Sequence, residues 1–234
     1  MKKTLNKIFI LSMFSTISYG LDIDKHLELS YVQTSGNTNT STFSTKFEAT
    51  TKIDDKSDFR AKGSALYSEN EDKTSANKYD VELDYNHMIS EKTYAYMGTN
   101  YINDQLSDYD YRLNIGPGLG YKVLENENQN LDIQGGFDYA FDKYVNGKKD
   151  EYVAPRTELN YRYKFNENVY FKQMLSYLFS LEDEEKYFAS SESAVGVKMT
   201  KALSLGVSYR IDYVNQTEKE NSDRRLLTSI IVDF

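Results

Sequence analysis

The sequence predicts an all-β fold, a transmembrane, antiparallel up-and-down β-barrel of about 12 strands. Three observations carry that expectation. Apolar residues recur at every second position in segments of about 10 residues, the period of a strand with two unlike faces. No apolar run reaches the roughly 18 residues a spanning helix needs, and mean hydropathy is −0.66. The polar links between segments alternate between short and longer, as in a meander that crosses a bilayer repeatedly.

The first 20 residues read differently from the rest. MKKTLNK is basic, Ile8–Phe14 is a short apolar core, and Ser18-Tyr19-Gly20 places small residues before a cut after Gly20. This is the pattern of a secretory signal peptide, too short to span. Residues 1–20 are therefore expected to be removed and residues 21–234 to form one barrel domain. Loss of Lys2, Lys3 and Lys7 would take the formal net charge from −8 to −11.

The strands follow in order. The first lies near Leu27–Thr34. Phe43–Ile53 then sets Phe43, Phe47, Ala49 and Ile53 on one face and Lys46, Glu48 and Lys52 on the other. Phe59, Ala61, Gly63, Ala65 and Tyr67 alternate with Arg60, Lys62 and Ser64, and Tyr79, Val81, Leu83 and Tyr85 with Asp80, Glu82 and Asp84. Thr93–Asn103 is a strand of open phase, because Tyr94, Tyr96 and Gly98 compete with Ala95, Met97 and Tyr101 for the apolar face. Leu113–Val123, Leu131–Phe141, Leu159–Phe165, Val169–Leu181, Val195–Met199, Leu205–Tyr213 and Leu226–Phe234 carry the same alternation. Arg156, Glu158, Asn160, Arg162 and Lys164 form the polar face of the Leu159–Phe165 strand.

The links Asp54–Ser57, Ser90–Lys92, Glu125–Gln129, Asn166–Asn168 and Thr200–Ala202 are short. Ser35–Ser41, Glu69–Asn77, Asp104–Asp110, Asp142–Glu151, Glu182–Glu185 and Gln216–Arg224 read as longer. That is the layout of short periplasmic turns and longer outer loops. In lipid every backbone N–H and C=O must be paired, so the spanning sheet must close on itself. The apolar faces then meet lipid and the charged faces the lumen. A soluble lipocalin-type barrel would invert this. Dense charges of both signs on the polar face, and Tyr near strand ends, oppose it; the chain has 21 Tyr and no Trp.

Composition also removes whole classes of chemistry. With no cysteine there is no disulfide, thiol nucleophile, zinc–thiolate site or iron–sulfur cluster, and a lipoprotein anchor after the leader is not expected. The acidic balance disfavours nucleic acid as a partner. The two histidines, His26 and His87, lack a Ser two residues away on the same strand, the arrangement of lipid-facing barrel lipases. The acidic stretches Asp108-Tyr109-Asp110 and Glu182–Glu185 lack the spacing of a calcium loop. No catalytic residue, cofactor or metal site is expected, and the chain is not expected to be an enzyme.

The chain ends on Phe234, with Val232, Ile230, Thr228 and Leu226 at alternate positions before it. A terminal aromatic on an amphipathic last strand resembles the signal read by the outer-membrane barrel assembly machinery. Leu29-Ser30-Tyr31-Val32-Gln33-Thr34-Ser35-Gly36-Asn37-Thr38, Phe47-Glu48-Ala49 and Gly116-Pro117-Gly118-Leu119-Gly120-Tyr121 resemble a family of salt-induced outer-membrane proteins, long classed as a domain of unknown function. The resemblance covers most of residues 21–234. It implies a barrel in the outer membrane of Gram-negative bacteria, in contact with outer-membrane lipid and lipopolysaccharide, and carries no catalytic residues with it.

On the polar face the strand positions hold twelve basic and eleven acidic residues, a balanced lumen. Arg60 and Lys62 neighbour Asp80, Glu82 and Asp84 on the next strand, so cross-strand pairing is natural. Twelve strands fall between a filled eight-stranded barrel and a wide porin. The expected function is a narrow, weakly selective pore for ions or small polar solutes, linked through the resemblance to salt or osmotic stress. Arg60, Lys62, Asp80, Glu82, Asp84, Arg112, Arg156, Arg162 and Arg210 are the candidate lining residues. Gly116, Gly118, Gly120 and Gly136 would either relieve strain or clear one wall of side chains. The alternatives are a closed structural or adhesive barrel with an ion-paired lumen and, third, an enzyme at the rim.

Overall fold

The structure is a computed structural model that describes residues 23–34, 39–71 and 73–234. The expected signal peptide, most of the link at 35–41, and Ser35, Gly36, Asn37 and Thr38 of the resemblance motif lie outside the described residues. Twelve strands succeed one another: β1 (Ile23–Thr34), β2 (Thr40–Lys52), β3 (Ser57–Asn70), β4 (Lys73–Met88), β5 (Thr93–Asp104), β6 (Tyr109–Glu125), β7 (Gln129–Tyr144), β8 (Lys149–Lys164), β9 (Val169–Phe179), β10 (Tyr187–Lys198), β11 (Leu203–Val214) and β12 (Ser222–Asp233). Each pairs antiparallel with its sequence neighbours, and β12 pairs with β1 to close the ring. At the seam Lys25 and Phe234 exchange both backbone hydrogen bonds at 2.9 Å. The sheet therefore has no edge, which is what a spanning sheet in lipid requires.

The alternation read from the sequence sorts onto two faces as expected. Phe43, Val81, Leu119, Phe137, Val207, Leu226 and Ile230 are exposed on the outer wall. Rings cluster near the outer end of that wall. Tyr79, Tyr101 and Tyr111 form one ladder, with centroids 6.1 and 5.9 Å apart, and Tyr177, Tyr187 and Tyr213 another, at 5.7 and 5.8 Å. Their apolar bodies and polar tips suit the interface between hydrocarbon and headgroups.

The inner turns share one local device. Asn126, Asn166, Ser90 and Thr200 each use a side-chain oxygen to accept backbone N–H groups two and three residues on, the Asx or Ser/Thr turn. The outer links depart from expectation. β3 and β4 pair as far as Asn70 and Lys73, so the expected Glu69–Asn77 loop is mostly strand, with Glu71 at φ 48° in the turn. β6, β7 and β8 run 16 or 17 residues, and the links at 105–108 and 145–148 are correspondingly brief. The reason is physical: beyond the bilayer both faces of a strand are wet, so the apolar alternation stops before the strand does.

Candidate functional site: the barrel lumen

The lumen is built from one parity of each strand, even-numbered positions on β1 to β11 and odd-numbered on β12, except that a register shift at the outer end of β6 turns Tyr109 inward. On β5 this settles the open phase. Tyr94, Tyr96 and Gly98 turn inward, while Ala95, Met97 and Tyr101 belong to the outer wall. The two tyrosines are buried because the glycines opposite have no side chains. A Cβ on Gly118 would lie 2.2 Å from Tyr96 Cζ, and one on Gly120 2.1 Å from Tyr94 Cζ. So the glycine wall on β6 is not a clear path. It is the bed on which two rings lie flat, a ring-over-glycine packing that also stiffens the sheet. Tyr94 donates to Asp132 at 2.7 Å and accepts from Gln134 at 2.9 Å.

All nine sequence-expected lining residues face inward, in different roles. Arg60 donates to Asp84 at 2.9 and 3.2 Å, and Lys62 to Glu82 at 2.8 Å; both are neighbouring-strand pairs. Arg60 and Asp84 hold one another outside the open space, and Asp84 is only 4% exposed. Ser64 donates to Asp80 at 2.5 Å. Arg156 pairs with Asp138 at 3.2 Å and covers the Tyr96 ring. Arg210 joins Glu192 at 3.2 Å and Asp212 at 3.0 Å. Arg112 lies 3.8 Å from the centre of the Phe188 ring, and Arg162 4.6 Å from that of Tyr170.

Some contacts cross the ring rather than follow it. Lys46 on β2 pairs with Glu192 on β10, four strands away. Lys78 on β4 reaches Asp212 on β11, five strands away, at 3.4 Å, and Arg225 on β12 joins the same carboxylate. Lys78 and Arg225 are not among the sequence candidates because each stands between an expected loop, Glu69–Asn77 or Gln216–Arg224, and the first residue of clear alternation. Above them the outer links at 105–108 and 215–221 meet across the mouth. Asp108 accepts from Thr217 Oγ1 at 2.5 Å and from the Glu218 N–H at 2.8 Å, and Lys219 donates to the carbonyls of Leu106 and Ser107.

Lys186, in the link before β10, is 1% exposed. It pairs with Asp142 at 2.9 Å and Asp150 at 2.8 Å and sits 4.1 Å from the centre of the Tyr152 ring. Burial works against its charge, but the Asp142 carboxylate and the hydrogen bonds to Asp150, Asp142 and Tyr144 outweigh it, so the ammonium is held above the ordinary lysine range.

Between these contacts remains one cavity of about 1070 Å³. Its lining runs from His26 and Asn130 at the periplasmic end to Lys219 and Glu220 at the outer end. This is far from the open lumen of a wide channel.

Residues 27–234 match DUF481, a family of proteins of unknown function. The chain belongs to this family. No curated protein sequence matches it. Its barrel is similar to an outer-membrane channel from Pseudomonas putida F1, with 10% identity, TM-score 0.57 and coverage of 93% of this chain and 97% of that one. It is also similar to the NanC porin, with 11% identity, TM-score 0.55 and coverage of 90% and 98%. The translocator domain of the autotransporter NalP from Neisseria meningitidis gives 8% identity, TM-score 0.53 and coverage of 96% and 91%. At such identities the likeness is one of fold. With the closed sheet and its apolar outer belt, it makes this DUF481 member a β-barrel of the outer membrane.

The histidines have structural partners. His26 Nδ1 lies 2.6 Å from Asp233 across the β1–β12 seam. His87 Nδ1 lies 3.0 Å from Ser57 Oγ on the neighbouring strand, and Tyr85 donates to the same hydroxyl at 3.2 Å. Ser57 is 3% exposed, so its hydroxyl is covered rather than presented as a nucleophile. The acidic stretches likewise serve the loops. Asp108 straps two links together, and Asp183 accepts from Gln216 at 3.2 Å.

Proposed function

We propose that the barrel is a narrow, weakly selective pore for ions and small polar solutes. The observation that supports this best is the charged cavity whose lining extends from one end of the lumen to the other. Its fixed charges are of both signs and mostly paired, which favours weak selectivity over a strong preference for one ion. A role in salt or osmotic stress fits such a passage and rests on the family resemblance alone. The terminal Phe234, exposed at the seam, would present the last strand to the assembly machinery, and the tyrosine ladders would meet lipid and lipopolysaccharide.

Contacts across the lumen favour a second reading. Lys46–Glu192, Lys78–Asp212 and the outer strap knit opposite walls, as a closed structural or adhesive barrel would need. Single-channel conductance of refolded Leu21–Phe234 in a planar bilayer separates the two. The pore gives reproducible steps. Asp80→Asn, Glu82→Gln and Asp84→Asn together free Arg60 and Lys62 and shift its reversal potential toward anions. A closed barrel, shown to be folded by heat-dependent gel mobility, stays silent, and the same triple change costs it only stability.

A further inference from the structure

One pair of lumen cations stands side by side without a carboxylate. Arg162 on β8 and Lys172 on β9 are direct register partners, side by side on the wall. Like charges placed opposite one another destabilise a sheet. Arg60, Lys62, Arg156 and Arg210 each have a carboxylate within 4.0 Å, whereas among the described residues neither Arg162 nor Lys172 has one. Arg162 Nε is buried without a hydrogen-bond partner. Leaving a buried donor of a cation unmatched is costly, so this geometry suits a counter-charge that arrives from outside.

The pair is also held in place. Tyr170 lies against Gly196, where a Cβ would come within 2.2 Å of the ring carbon Cζ. Arg162 stacks over this ring at 4.6 Å, and Lys172 lies 5.6 Å from its centre. A stacked guanidinium keeps its edge N–H groups free to form hydrogen bonds in its own plane. Both cations and the ring line the open cavity. The carboxylates that act on Lys172 from elsewhere, Glu28, Glu48 and Asp233, do so through space only, without an ion pair among the described residues.

We infer that Arg162 and Lys172 form a binding subsite for a small singly charged carboxylate. The planar guanidinium fits a carboxylate edge-on, and the ammonium supplies the second charge. Glu28 and Glu48 disfavour a dianion, and Asn160, two residues before Arg162 on β8, lines the same cavity. The inference rests on the reading of the barrel as a passage, whose solute class it names.

The test uses refolded Leu21–Phe234 in detergent, titrated calorimetrically with gluconate, its uncharged counterpart sorbitol, and inorganic phosphate. Saturable gluconate binding, with none for sorbitol, is expected. Arg162→Gln or Lys172→Gln should weaken it at least about tenfold, the worth of one charge-assisted hydrogen bond. Arg162→Lys should restore part of the loss. Lys198→Gln, at the rim of β10, should leave binding unchanged. No gluconate binding to the folded wild type, equal binding in the Arg162→Gln/Lys172→Gln variant, or tighter binding of phosphate than of gluconate overturns the inference. Parallel bilayer recordings keep the two readings apart. A conducting barrel that fails to bind gluconate retains the pore and loses the subsite. A silent barrel that binds it loses the pore and keeps the site.

Discussion

Two lysines on the inside of the same barrel have opposite surroundings. Lys186 at the outer mouth is sealed between Asp142 and Asp150, with ring faces on two sides. Lys172 in the lower lumen has an arginine as its register partner and no carboxylate in ion-pair range among the described residues. A fully matched charge with its neighbours fixed acts as a rivet. An unmatched one facing open space leaves its field available to whatever passes.

The sharpest way to break the contrast is Lys186→Ala. It strands Asp142, whose side chain is fully covered, and removing one partner of a buried pair costs about 3–5 kcal/mol. Denaturant titration of the barrel should show a midpoint shift of that order, while Lys172→Ala leaves the midpoint nearly unchanged or raises it. The same rivet has a pH signature. Because folding raises the Lys186 pKa, its contribution is fully present below about pH 10.5 and is lost as pH rises through the higher folded value. Alkaline melting should therefore separate wild type from Lys186→Met, and a difference that persists unchanged to the most alkaline conditions would falsify the assignment.

Next in size is the ring-over-glycine packing. Gly118→Val would drive a side chain into Tyr96 and should cost about 1–3 kcal/mol. Adding Tyr96→Ala should recover much of that loss. If the double variant is no better than the single one, the close approach is not what makes Gly118 necessary.

Smaller still is the bridge between Lys78 and Asp212. Asp212 keeps Arg210 and Arg225, so Lys78→Gln should cost less than about 1 kcal/mol. In a conducting barrel it should raise unit conductance, because a side chain no longer spans the lumen. Unchanged conductance would place the constriction elsewhere, with the Asp108–Thr217 strap the next candidate. Asp108→Asn, at the exposed mouth, should have the least effect on stability, visible mainly as altered gating noise.

Much of this molecule was legible in the chain. The period of two over strand-length segments required a sheet with one apolar face, and pairing in lipid required that sheet to close. The inward positions of Arg60, Lys62, Glu82, Arg156, Arg162 and Arg210 followed from parity alone. So did the neighbour pairing of Arg60 and Lys62 with the β4 carboxylates, because adjacent strands in a meander are adjacent in sequence. What the sequence hid has a common cause. Lys78 and Arg225 stand where strands continue beyond the bilayer and alternation no longer reports on structure. The phase of β5 was open because tyrosine is at home in lipid interfaces and in a packed lumen alike.

The sequence by itself determined the sheet, its closure and which side chains point inward, since these depend on local periodicity and on the absence of water in the bilayer. Only the tertiary structure decided which charges meet across the ring, which rings lie on which glycines, and that Arg162 and Lys172 stand side by side without a carboxylate. Those outcomes depend on register and on contacts between strands far apart in the chain, and no local pattern encodes the distance from Lys46 to Glu192 or the company of Arg162.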